Sequence, residues 1–133
     1  MRIVFTRFLL LCGLLLSICS WTSAQSDQLS AVRAAFASGS SHELAQYMAP
    51  SLEVGFDGDK QTYSSTQAEL VVKNFFAKNP PSAIELVHQG ASNEGIPYAV
   101  YRYASRTSNY QVFVRLKSKQ GPPAIDTLDF TKQ

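Results

Sequence analysis

The chain has 133 residues, 45% of them hydrophobic, a formal net charge of +2 at pH 7, and two cysteines, Cys12 and Cys19. That length suits one domain, and the small charge excludes the electrostatic footprint of a nucleic-acid or anionic-lipid binder. Both cysteines lie near the start, so disulfide, thiolate-metal and cysteine-nucleophile chemistry drop out for everything beyond residue 24.

Arg2 and Arg7 make a positive start, FLLLCGLLLSI (Phe8 to Ile18) is an apolar run, and Thr22-Ser23-Ala24 supplies the small residues of a cleavage site. Residues 1–24 therefore read as a secretory signal peptide cut after Ala24, and residues 25–133 as one mature domain destined for the periplasm or the exterior. The apolar run is short of the roughly 20 residues that span a bilayer, so no stable membrane span is expected in the mature chain. A lipid anchor on Cys19 is disfavoured, because the β-branched Ile18 precedes it where a small residue is needed. Losing Arg2 and Arg7 also brings the basic and acidic side chains into balance.

In SDQLSAVRAAFASG, Leu29, Val32 and Phe36 recur at helical spacing, and Gly39 marks the end of a first helix. Ser40 and Glu43 form a capping box for a second, in which Leu44, Tyr47 and Met48 share a face until Pro50. SLEVGF and QTYS around a Gly-Asp turn predict a hairpin, with a bulge at Gly55 as an option. Ser64 and Gln67 cap a third helix whose Ala68, Val71, Val72, Phe75 and Phe76 form one broad apolar stripe, and Asn79-Pro80-Pro81 stops it. Period two then takes over in AIELVHQ, IPYAVYRY, YQVFVRLK and AIDTLDF, four strands divided by turn residues. The fold class is α+β: N-terminal helices packed on a curved antiparallel sheet that forms a cone around the third helix.

Alternation sorts the strand residues between two faces. It groups Ile84, Leu86 and His88, then Tyr98, Val100 and Arg102, then Tyr110, Val112, Val114 and Leu116 on the core side, with Leu128 and Phe130. Tyr101, Tyr103 and Phe113 fall outward, an aromatic cluster that suggests a homodimer through the sheet face.

The element order, together with YSSTQAELVVKNFFAKNPP, IELVHQGASNEGIPYAVYRY and NYQVFVRLK, resembles a family of small exported bacterial proteins described as a domain of unknown function. That family is similar in fold to nuclear transport factor two and ketosteroid isomerase, a superfamily also called cystatin-like. The resemblance implies a cone with an apolar pocket at its open end, which holds a substrate, a ligand or nothing.

His88, Tyr98, Arg102 and Asp126 are the candidates for that pocket. His88 has the chemistry of a general base near neutral pH, Tyr98 that of a donor to a developing oxyanion, and Arg102 that of a clamp for an acidic or carbonyl group. Asp126 shares parity with Leu128 and Phe130, so a regular strand brings its carboxylate inside as a second candidate base, whereas a bulge after Pro123 turns it out. The ordinary alternatives are a hydrogen-bonded structural histidine, a core tyrosine and a strand-end arginine. With two histidines and no useful carboxylate spacing, no metal and no cofactor is expected. No coherent catalytic set emerges, which favours a non-catalytic module for a small apolar ligand or a protein partner over an isomerase or dehydratase.

Overall fold

The computed structural model describes residues 23–118 and 121–133, so the leader expected over 1–24 lies outside it apart from Ser23 and Ala24. Helix α1 spans Ser23–Ser38 and buries Leu29, Val32, Ala35 and Phe36. Gly39 ends it at φ +65°: its N–H donates to the Phe36 carbonyl and the Ser40 N–H to that of Ala35, a Schellman closure that needs the left-handed backbone glycine adopts without strain.

Helix α2, Ser41–Ala45, is capped by Ser40, whose hydroxyl accepts from the Glu43 N–H at 3.1 Å. It is shorter than the sequence suggests. Tyr47 and Met48 leave the helix because the Tyr47 carbonyl accepts from the Ile125 N–H at 2.7 Å and Met48 pairs with Ile125, which starts strand β1 (Met48–Phe56) early. Asp57 and Gly58, both at positive φ, turn β1 into β2 (Asp59–Ser64), the two-residue geometry whose twist suits a hairpin. The Asp57 carboxylate accepts the Lys132 N–H at 2.8 Å and ties that turn to the end of the strand beside β1, two residues past Phe130, which pairs with Phe56.

Helix α3, Ser65–Lys78, opens on a complete capping box between Ser64 and Gln67, and buries Ala68, Val72, Phe75 and Phe76. Strands β3 (Pro81–Ala91), β4 (Pro97–Ser105), β5 (Asn109–Lys117) and β6 (Ala124–Lys132) form the expected meander. The six strands lie in the order β2-β1-β6-β5-β4-β3, antiparallel throughout except where β6 meets β1 in parallel. All three helices pack on one side of this open, curved sheet, which is the α+β cone anticipated from the sequence.

The interior of the cone is built from rings. Phe75 stands 4.5 Å from Phe130, 5.0 Å from Tyr110 and 5.4 Å from Tyr103, centroid to centroid, and Phe56 stacks on Phe130 at 5.0 Å. Phe36 meets Phe76, Tyr101 and Phe130 at 6.1–6.2 Å. Offset and edge-on aromatic pairs at these separations add to the burial of apolar area, so the hollow between α3 and the sheet is occupied by the protein's own side chains.

Candidate functional site

The polar side chains singled out in the sequence come to the side of the sheet away from the helices. In β4 the alternation is the reverse of the one anticipated: Ala99, Tyr101 and Tyr103 are buried, and Tyr98, Val100 and Arg102 face out. Pairing with β5 sets this, since Tyr101 lies opposite the buried Val112 and Tyr103 opposite Tyr110, whereas Val100 lies opposite Phe113. Five of the six residues in YAVYRY are apolar or aromatic, so the pattern itself does not choose a face; the exposed Arg102 agrees with the face that the register against β5 sets.

Tyr101 and Tyr103 are thus core residues and not part of an interface. Their hydroxyls donate to the Leu29 and Asn79 carbonyls and fasten α1 and the end of α3 to the sheet. Burial pushes the Tyr101 phenol up to about 12, a rise that nearby Arg33 partly offsets, and burial also raises Tyr103. Of the three aromatic side chains assigned to the outer face, Phe113 alone is there, with Tyr98 at 5.6 Å beside it.

His88 is displaced from the core side by a bulge. Leu86 lies opposite Tyr101 and His88 opposite Val100, so Val87 is an extra residue that flips the alternation. His88 is exposed, and its Nε2 lies 3.1 Å from the Tyr98 hydroxyl. Gly90 makes room for this pair, because a Cβ there would stand 3.0 Å from that hydroxyl. Arg102 pairs with Glu85 at 3.1 Å, both well exposed.

Asp126 is turned out by a second irregularity, in which Arg115 pairs with Thr127 and Leu116 with Ile125. Its carboxylate accepts two parallel hydrogen bonds from Arg115, Nε to Oδ1 and Nη2 to Oδ2, each 2.9 Å, and a third at Oδ1 from Thr127 at 3.2 Å. The hydrogen bond to Asp126 is the main cause that raises the Arg115 pKa above its ordinary value, which keeps the guanidinium charged. With both oxygens engaged and only 18% of the side chain exposed, Asp126 is a structural anchor and not a free base. Asp126→Ala is expected to cost about 1–2 kcal/mol in chemical denaturation, between the values typical of surface and buried pairs.

Above Asp126 the sheet parts. Between Met48–Ile125 and Glu53–Thr127, β1 advances five residues while β6 advances two, so Ala49 to Leu52 bow away from β6. Pro50, which cannot donate to a ladder, sits in this arc. The gap is a cleft of about 440 Å³, reached by Glu53, Thr62, Lys117 and Asp126. Sequence reasoning missed the arc and the part played by Arg115; Pro50, read from the sequence as the stop of a helix, lies inside β1. The irregularity falls at this arc and not at Gly55, which pairs regularly and lies beneath Lys60 and Asp129.

An isomerase-type site needs base and donor around one reacting position in a cavity. Here His88 and Tyr98 meet outside the cone and Asp126 is held by Arg115. Among the described residues no three His, Cys, Asp or Glu side chains are grouped to hold a metal ion, and no helix is long and apolar enough to cross a membrane.

A family profile described as a domain of unknown function (DUF4783) matches residues 29–131. A solved DUF4783 family protein from Bacteroides ovatus is 28% identical over 78% of this chain and 94% of its own, with a TM-score of 0.74. An NTF2-like protein of unknown function from Shewanella baltica, 11% identical over 84% of this chain and 92% of its own, has a TM-score of 0.63. A domain of unknown function with a cystatin-like fold from Nostoc punctiforme reaches 0.65 at 11% identity, over 86% of this chain and 80% of its own. No curated protein matches significantly.

Proposed function

The chain belongs to the DUF4783 family, and from that premise we propose that it is an exported, non-catalytic binding module that takes small ligands at the outer cleft and not inside the cone. One observation carries this reading: the interior is filled by Phe36, Phe75, Phe76, Tyr101, Tyr103 and Phe130, while the cleft beside Lys117 and Asp126 stays open and is large enough for a small organic molecule. Its wall mixes the apolar Pro50, Leu52 and Ala124 with the charged Glu53 and Lys117, a composition suited to an amphipathic guest.

Export is supported by the Arg2/Arg7 start, the apolar run and the small residues ahead of Gln25. Cleavage after Ala24 removes the first two residues of α1 and leaves its buried Leu29, Val32, Ala35 and Phe36 in place. N-terminal sequencing of the protein from the cell envelope is expected to begin at Gln25; recovery in the cytoplasm with Met1 intact speaks against export.

For binding, the test is a titration of the labelled protein with a panel of small amphipathic compounds, followed by backbone NMR. Shifts are expected at Ser51, Glu53 and Thr62. Shifts centred on Phe36, Phe75 and Tyr103 would instead place the guest within the cone and overturn the reading.

A further inference from the structure

Strand β3 ends the sheet, and among the described residues β4 is its only strand neighbour. Its opening stretch is covered: Arg33 donates to the Ile84 carbonyl at 3.3 Å, and Gly39 lies against Pro81. From Glu85 to Gln89 every residue is exposed, including Leu86 at 40% and Val87 at 52%. Such edges are ordinarily blunted by lysine, by proline, by inward charges or by bulges, and of these devices β3 has bulges, at Ser82 and Val87. β3 contains no lysine or arginine, and its one proline is its first residue. An uncapped apolar edge of this kind is a template for another strand.

We propose that Glu85-Leu86-Val87-His88 is a self-pairing element through which two copies of this chain join, edge to edge and antiparallel, about a two-fold axis between Leu86 and Val87. The sequence of the segment is its own complement in that register. Glu85 falls opposite the partner's His88, and Leu86 opposite the partner's Val87, so carboxylate meets imidazole twice and apolar meets apolar twice. A closed isologous contact of this type requires such self-complementarity.

The chemistry of the outer pair fits. When the Tyr98 hydroxyl donates to Nε2 of His88, the ring proton resides on Nδ1, which is then the donor for a carboxylate. Glu85 is free to accept it, because its bond to Arg102 joins two largely exposed side chains and is worth little. The bulge at Val87 sets Leu86 and Val87 side by side without an intervening polar residue.

Sedimentation of the purified protein tests this, with circular dichroism to confirm that each variant is folded. A dimer is expected at tens of micromolar, about the range of weak specific association. Glu85→Lys puts cation against imidazole and His88→Glu puts carboxylate against carboxylate; each is expected to weaken association by roughly tenfold or more. The double variant E85K/H88E restores opposite charges in the same register and is expected to dimerise again. Phe113→Glu, on the outer face, is expected to leave the dimer intact. A wild-type protein that stays monomeric overturns the proposal, as does a double variant as monomeric as the single ones. Dissociation by Phe113→Glu, with the β3 variants still dimeric, would move the interface to the sheet face.

Discussion

Replacing Phe75 by alanine is expected to destabilise the protein by about 3–5 kcal/mol, read as a fall in the urea midpoint with an unchanged slope. The ring touches Phe56, Phe76, Tyr103, Tyr110 and Phe130, drawn from β1, α3, β4, β5 and β6, so its removal opens a void that no single element can close. Since a domain of this size is stable by about 5–15 kcal/mol, one substitution removes a large share of the total. Leu70→Ala on the same helix, 58% exposed, is the control and is expected to change stability by less than about 0.5 kcal/mol. A loss below about 1 kcal/mol for Phe75→Ala would mean that the hollow refills by rearrangement and is not a fixed aromatic core.

The second large effect is alkaline unfolding between pH 10 and 12. An unfolded tyrosine loses its proton near 10, whereas burial holds the Tyr101 proton to about 12 in the folded protein. Across that interval the unfolded chain binds fewer protons than the folded one, so stability falls as pH rises. Below pH 10 both states keep the proton and the contribution is constant. A shift of this size corresponds to about 2–3 kcal/mol from Tyr101, and Tyr103, raised by its own burial, pushes in the same direction. Denaturation midpoints at pH 8, 10 and 11.5 measure it. Tyr101→Phe is expected to cost about 1 kcal/mol at pH 8, through the lost bond to the Leu29 carbonyl, and to flatten the alkaline fall. An equally steep fall in that variant would assign the effect to other groups.

Helix positions were legible in the sequence because their signals are local. The Ser64–Gln67 box and the 68-72-75-76 stripe each state their role within a few residues, and Gly39 closes α1 by a backbone conformation that few other residues tolerate. Strand existence was legible for the same reason. Strand facing was not, because it depends on what lies across the ladder. One extra residue at Val87 exchanges inside for outside at His88, and the 126–127 irregularity does the same to Asp126. β4 failed for a different reason: Tyr98 and Val100 look as apolar as Tyr101 and Tyr103, and only the register against β5 decides which pair is buried. The structure brings His88 and Tyr98 together, but on the face of the sheet away from the helices. The cleft was invisible because it arises from a three-residue surplus in β1 relative to β6, strands that lie far apart in the sequence.

The parallel contact between β1 and β6 also orders events in time. Of the six described strands β6 comes last in the chain, yet it separates the β1–β2 hairpin from the β5-β4-β3 block, so these halves have no shared ladder until Ala124–Lys132 emerges from the ribosome. Long-separation pairing of this sort delays folding, since chain closure precedes the contacts that reward it. The whole sheet can therefore close only once that final seam is available, and until then the two blocks are joined by chain and helix contacts alone.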